Sequence, residues 1–195
     1  LSLNATVLNH QDYGVDLGVN FTKVRNKVKK LAPGVESIML GGFVTPQIRA
    51  QAGYNYPNIY GKAFKRTADG QLLLDANGLP QSTAANVNLG ECAPDFTMGF
   101  NLHAHYKNLS LSATMDWQKG GCMYNGTLLT MNYFGVTKES LPYHEGTMVA
   151  EGINEATGAK NTVVVSKQAY YQAYNDVTEA GIFETSYLKL RDITL

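Results

Sequence analysis

In the stretch FNLHAHYKNLSLSATMDWQKGG, Phe100 to Gly121, apolar and polar residues alternate, reverse at Lys107-Asn108 and alternate again. Period-two alternation predicts half-buried β-strands. A two-residue turn at Lys107-Asn108 makes them an antiparallel hairpin, Asn being tolerant of the positive φ that such turns need. Tyr106 then faces Leu109, Ala104 faces Leu111, Leu102 faces Ala113, Phe100 faces Met115 and Met98 faces Trp117. Every one of these pairs is apolar. The other face sets His105 against Ser110, His103 against Ser112, Asn101 against Thr114, Gly99 against Asp116 and Thr97 against Gln118. A slip of one residue would mix the faces, so the pattern fixes its own register.

LSLNATVLNHQDYGVDLGVNFTKVRNKVKKL predicts a second hairpin. A three-residue loop at His10-Gln11-Asp12 sets Val7 against Val15, Ala5 against Leu17 and Leu3 against Val19, with Thr6 against Asp16 and Asn4 against Gly18 on the polar side. Lys23, Arg25, Lys27, Lys29 and Lys30 follow as the charged end of a strand running out into water. SYLKLRDITL predicts a last strand. The strands fall near 1–9, 13–30, 95–106, 109–119 and 186–195, with long connections near 31–94 and 123–185. Inside those connections TADGQLLLDANGLP predicts a small hairpin at Asp69-Gly70 and a turn at Asn77-Gly78. SKQAYYQAYN predicts a short helix capped by Ser166, and YNGTLLTMNYF another.

Two environments suit a two-faced strand pair. In a soluble sandwich the apolar face meets a second sheet and the polar face meets water; in a membrane barrel the apolar face meets lipid and the polar face lines a lumen. The polar face here is Ser, Thr, Asn and His rather than Lys and Glu. Only 16% of the chain is charged, against about 25% in an ordinary soluble protein. Short turns at one end of the strands and long connections at the other are the barrel pattern, since typical connections run about 4–6 residues. Aromatics mark both ends: Tyr13 and Tyr106 beside the short turns, Phe21, Phe96 and Trp117 toward the long connections. Ten residues separate Phe96 from Tyr106. At about 3.3 Å each and a tilt near 40°, they span roughly 25 Å of membrane normal, the height of a barrel's apolar band. These five residues are therefore candidate membrane-interface aromatics.

Formal net charge is zero and the pI is about 7.1, which argues against a nucleic-acid partner, whose binding wants a basic patch. No run of about 18 apolar residues exists, so no transmembrane helix is expected. Leu1 already lies in an alternating segment, so no signal peptide is expected, and a chain that begins and ends inside strands reads as a piece of something longer.

Candidate chemistry is sparse. His103 and His105 share the polar face and lack the further ligands that a metal needs; polar lining is the simpler reading. Asp16, Asp116 and Glu91 form no evident carboxylate pair, and no nucleophile motif, phosphate loop or Cys-x-x-Cys is present. No enzyme activity, cofactor or metal is expected. Extending the hairpin pairing brings Cys92 and Cys122 nearly opposite, one residue out of register, and a bulge at Gly120-Gly121 would correct this. At an oxidising extracellular rim the two thiols are candidates for a disulfide. Tyr54, Tyr56 and Tyr60 in GYNYPNIYG are candidates for an aromatic surface contacting substrate or a lid protein, with loop packing as the alternative.

VDLGVNFTKVRNKVKKL, PNIYGKAF with ADGQLLLDANGLP, PDFTMGF, YKNLSLSATMDWQKGGCMYNGT and SYLKLRDITL, in this order and spacing, resemble the late barrel of the SusC/RagA family, TonB-dependent outer-membrane importers of Bacteroidetes. The resemblance runs from about Val15 to Leu195, and DWQKGGCMYNGT and SYLKLRDITL are its most specific parts. Nothing here looks like that family's plug domain or TonB box. The resemblance implies a mainly β fold: antiparallel strands and hairpins from the C-terminal part of a transmembrane β-barrel, with long extracellular loops carrying short helices. It implies import of oligosaccharide or peptide across the outer membrane of a Gram-negative bacterium. It also implies a SusD-like surface lipoprotein as partner, and energy from the TonB complex through parts outside this chain. The rival reading is a soluble, secreted, β-rich carbohydrate-binding module. Five strands cannot close a barrel, which takes at least eight. Without lipid, the isolated chain is expected to bury its apolar face by self-association or loop collapse.

Overall fold

Five strands pair in the order in which they occur along the chain: β1 (Ser2–Asn9), β2 (Tyr13–Thr22), β3 (Phe96–Tyr106), β4 (Leu109–Lys119) and β5 (Tyr187–Thr194). All four pairings are antiparallel, so the sheet is an up-and-down meander. The computed structural model describes all residues, 1–195, and separates them into two compact units. The first holds the sheet: Leu1–Lys27, Glu91–Cys122 and Glu184–Leu195. The second comprises Val28–Gly90 and Met123–Phe183, the two long connections.

Within the sheet the β3–β4 register follows the alternation: Phe100 pairs with Met115, Leu102 with Ala113 and Asn101 with Thr114. Positive φ at the turn falls on Lys107 (52°) rather than on Asn108. Lys107 N–H donates to the Asp12 carbonyl at 2.6 Å, tying the two short turns together. The β1–β2 hairpin departs from simple alternation. Ala5 pairs with Leu17 and Thr6 with Asp16, but Leu8, not Val7, pairs with Val15. The register shifts between Thr6 and Leu8, leaving Val7 as the extra residue of a bulge. The bulge brings Leu8 into the apolar row. β2 ends at Thr22 instead of continuing to residue 30. Its last pair with β3 is Thr22–Thr97, while β3 itself runs one residue further, to Phe96, in pairing with β4.

Side chains from successive strands line up in rows. Leu3, Val19, Phe100, Met115 and Leu190 form one apolar row; Ala5, Leu17, Leu102, Ala113 and Ile193 form the next. A second bulge, between Leu190 and Asp192, keeps β5 in phase with them. These rows are not a protein core. Leu3 is 63%, Leu190 57% and Ile193 64% exposed.

The buried apolar residues all belong to the second unit: Ile59, Tyr60, Phe64, Leu74, Leu129, Ala150 and Val177. There, Ser37–Gly42, Gln47–Gln51, Asn58–Gly61 and Val87–Glu91 make a four-stranded sheet. The turns at Asp69-Gly70 and Asn77-Gly78 close through Gly70 N–H to the Thr67 carbonyl (3.0 Å) and Gly78 N–H to the Asp75 carbonyl (3.1 Å). Two helices follow: α1 (Gly126–Tyr133), whose Asn125 cap accepts from Leu128 N–H, and α2 (Lys167–Asn175), whose Ser166 cap accepts from Ala169 N–H. In each, the cap side chain satisfies an N–H that the first helical turn leaves without a carbonyl. No helix is long and apolar enough to cross a membrane, which says nothing of strands.

At about 25 cal/mol per Å² the exposed rows carry a large driving force for association in water. Sedimentation velocity of the chain in detergent-free buffer is expected to show oligomers that detergent disperses. A monomer in water with those rows bare would contradict this.

Candidate functional site

The polar face of the sheet forms a shallow groove of about 420 Å³. Because Cβ atoms alternate along a strand, the residues between the apolar rows all point here: Asn4 and Thr6 from β1, Asp16 from β2, Asn101 and His103 from β3, Ser112 and Thr114 from β4. Thr6 donates to the Asp16 carboxylate at 2.7 Å, and His103 Nδ1 lies 3.0 Å from Ser112 Oγ. His105 lies flat across Gly14, its partner on β2. A Cβ on Gly14 would sit 2.4 Å from His105 Cε1, so a larger residue there would push the imidazole aside. Deeper along the face, Arg191 at the β5 bulge pairs with Asp116 at 2.7 Å, an exposed ion pair worth at most about 1 kcal/mol. The face offers hydroxyls, amides and imidazoles. No three His, Cys, Asp or Glu side chains converge as a metal would require.

The candidate aromatics occupy the two ends of the apolar face. Tyr13 pairs with Tyr106 at the short-turn end. At the other end Phe21, Phe96 and Trp117 form one cluster, with ring centroids 5.6 Å apart for Phe21–Phe96 and 4.9 Å for Phe96–Trp117.

The three candidate tyrosines of the first long connection do not form one surface. Tyr54 (47%) and Tyr56 (42%) are exposed, whereas Tyr60 is 7% exposed, in the central strand Asn58–Gly61. Its hydroxyl donates to Gln51 Oε1 and Arg49 lies over its ring, 5.9 Å from the centroid. Burial pushes the Tyr60 phenol up from its ordinary value. Tyr60 is a core residue of this unit and is withdrawn from the candidate contact surface.

The expected disulfide is also corrected: Cys92 and Cys122 are free thiols. The anticipated irregularity is present, with Gly120 and Gly121 both at positive φ (75° and 78°). It sets Gly121 against the Cys92 backbone, so that a Cβ on Gly121 would lie 2.9 Å from the Cys92 carbonyl. The bulge thus brings glycine, not the sulfur of Cys122, across from Cys92. Partial burial, with smaller contributions from Cys92 and Glu91, raises the Cys122 thiol to about 11.

A further cavity, of about 290 Å³, was not anticipated from the sequence. It lies in the second unit, where α2 presents Gln168, Tyr171 and Gln172 toward Tyr143, His144 and Asn132. The signal was available: Gln168, Tyr171 and Gln172 stand at i, i+3 and i+4 of QAYYQAY, one helix face. Tyr174, on the other face, packs against the buried Phe64 at a centroid distance of 4.6 Å.

No protein-family model matches the chain. Among curated proteins it is similar to TonB-dependent receptor P3 of Formosa agariphila, 26% identical over 216 residues, an alignment covering 99% of this chain and 20% of the receptor. Among solved structures it is similar in fold to a chain of the RagAB peptide transporter, with a TM-score of 0.55 and 19% identity, covering 98% of this chain and 21% of that one. The chain therefore spans about a fifth of the length of each. One is named a receptor and the other a peptide transporter. The mainly antiparallel β architecture agrees with a segment of a β-barrel transporter.

With a thiol titrating near 11, Cys122 is almost wholly protonated at pH 8. Its alkylation by iodoacetamide is expected to run roughly a hundredfold slower than that of a free cysteine, and to accelerate only as pH approaches 11. Peptide mapping by mass spectrometry reads both rates. Labelling at the free-thiol rate at pH 8 would refute the assignment.

Proposed function

We propose that this chain is a stretch of barrel wall, with its outer loops, from a TonB-dependent importer of oligosaccharides or peptides in the outer membrane of a Gram-negative bacterium. One observation carries the reading: a five-stranded antiparallel meander with apolar rows exposed on one face and a polar groove on the other, distinct from a second unit that has its own core. In a bilayer every backbone polar group needs an internal partner, and a closed antiparallel sheet supplies them all. The exposed Leu, Val, Phe and Ile then meet hydrocarbon, and Asn4, Thr6, Asn101 and Ser112 face the lumen.

In this reading Tyr13 and Tyr106 sit at one membrane interface and Phe21, Phe96 and Trp117 at the other, where amphipathic and aromatic rings are favoured. The unit built from Val28–Gly90 and Met123–Phe183 is extracellular. Tyr54 and Tyr56, exposed on that unit, contact substrate or a SusD-like lipoprotein lid. The TonB complex acts through parts of the transporter outside this chain. The similarity to a TonB-dependent receptor and to the fold of a peptide transporter supports this assignment. A secreted, water-soluble carbohydrate-binding module accounts poorly for the exposed rows.

Phe100 lies mid-strand on the apolar face and Asn101 beside it on the polar face. An Arg at the bilayer midplane costs about 2–4 kcal/mol on the lipid side of a barrel and little in the lumen. In the intact transporter, Phe100→Arg is therefore expected to deplete the heat-modifiable, folded form in the outer-membrane fraction, while Asn101→Arg leaves it in place. Recovery of the wild-type protein in the aqueous fraction would reject the reading, as would equal damage from both substitutions.

Substituting Tyr54 and Tyr56 together by Ala is expected to weaken lid capture or nutrient uptake roughly tenfold or more, as loss of buried interface aromatics does. Unchanged retention of the lipoprotein and unchanged growth on the cognate nutrient would remove these two residues from the contact surface.

A further inference from the structure

The cavity beside α2 makes no contribution to the reading above, yet it has the features of a built ligand site. Its walls come from three segments of one unit: the end of α1 with Asn132, the Leu141–Tyr143 turn followed by His144, and α2. Tyr143 and Tyr171 stack face to face, with centroids 4.2 Å apart and planes 14° from parallel. Asn175 Nδ2 donates to the Tyr171 backbone carbonyl at 2.8 Å, and burial raises the Tyr171 phenol. The aromatic wall is therefore pre-organised, so a ligand would lose little affinity to ordering it.

The polar groups around it are unsatisfied or only half used. The side-chain amides of Gln168 and Gln172 make no hydrogen bond within the protein, and Gln168 is exposed. Asn132 Oδ1 accepts from Thr137 Oγ1 at 2.7 Å, leaving its amide donors free. His144 Nε2 donates to the Gly135 carbonyl at 2.9 Å, leaving Nδ1 available. No Lys, Arg, Asp or Glu lines the cavity. A volume of about 290 Å³ lies at the small end of ligand pockets, which run about 300–1,000 Å³.

From this chemistry we infer that the cavity binds a neutral sugar unit of an oligosaccharide. The C–H face of a pyranose ring packs on the Tyr143–Tyr171 wall, and its hydroxyls, each donor and acceptor at once, pair with the Gln168, Gln172 and Asn132 amides and His144 Nδ1. A charged saccharide finds no counter-ion here. A peptide finds no ionic partner for its termini, and the Tyr133, Phe134, Tyr143 and Tyr171 rings present flat faces suited to a sugar ring. Binding itself depends on this cavity alone; only the fate of the bound sugar rests on the importer reading.

Saturation-transfer-difference NMR on the intact protein in detergent tests the site, using malto-, cello-, xylo-, manno- and galactohexaose and an uncharged, end-capped alanine hexapeptide as probes. At least one hexasaccharide is expected to show ring-proton saturation and the peptide none. Gln168→Ala, at an exposed position that leaves the fold alone, is expected to weaken that sugar about three- to tenfold, as loss of one or two hydrogen bonds does. Tyr143→Leu is expected to weaken it about tenfold or more, with an unchanged far-ultraviolet circular dichroism spectrum. Saturation by none of the five sugars, affinity untouched by both substitutions, or binding of the peptide in their place overturns the inference. Sugar binding that persists in cells with no uptake would reject the importer reading and leave this site standing.

Discussion

The structure is governed by an apolar surface that is exposed where a soluble sheet would bury it. β1 to β5 satisfy one another's backbone groups across an antiparallel meander, and this leaves two broad side-chain faces. The face carrying Leu3, Met115, Leu190 and Ile193 has the composition of a core and the exposure of a surface. At about 25 cal/mol per Å², water is a poor medium for it, and a hydrocarbon medium removes the cost without any protein partner. The small, mostly uncharged opposite face then suits a lumen, where hydroxyls and amides hydrogen-bond water and passing solutes.

The second unit obeys the ordinary rules of a water-soluble fold. Ile59, Phe64, Leu74, Leu129 and Val177 are buried together. Its surface carries ion pairs such as Lys65–Glu155 at 3.0 Å and Arg66–Glu179 at 2.7 Å. The Lys65 ammonium holds the Glu155 carboxyl below its ordinary value. That contribution to stability is present above the ordinary carboxylate range and is lost as pH falls through the lowered value. The two units thus follow different constraints: the sheet leaves its apolar rows exposed, and the long connections bury theirs.

Function divides along the same line. The sheet offers a shallow polar groove of hydroxyls, amides and imidazoles. The connections carry their own core and present specific side chains, such as the stacked Tyr143 and Tyr171, at its surface. Exposed tyrosines such as Tyr54 and Tyr56 offer adaptable contact area, whereas Tyr60 serves packing. Tyrosines close in sequence thus differ in burial: Tyr54 and Tyr56 lie in the loop before the strand and are exposed, whereas Tyr60 lies in the strand Asn58–Gly61 and is buried.

The alternation from Thr97 to Gln118 was enough to specify the β3–β4 pairing residue by residue, because period two is a local property and a slip would mix the faces. Turn chemistry at Asp69-Gly70 and Asn77-Gly78, and the Ser166 cap, were legible for the same reason: each depends on residues a few positions apart. What the tertiary structure alone decided involves partners distant in the chain. The pairing of β2 with β3 across the first long connection, the bulge that substitutes Leu8 for Val7, the burial of Tyr60 and the offset that leaves Cys92 and Cys122 as free thiols are of this kind, as is the cavity where α2 meets Tyr143. Local patterning fixes which face a side chain takes, but what stands opposite that face is set by long-range packing, which no short window of sequence contains.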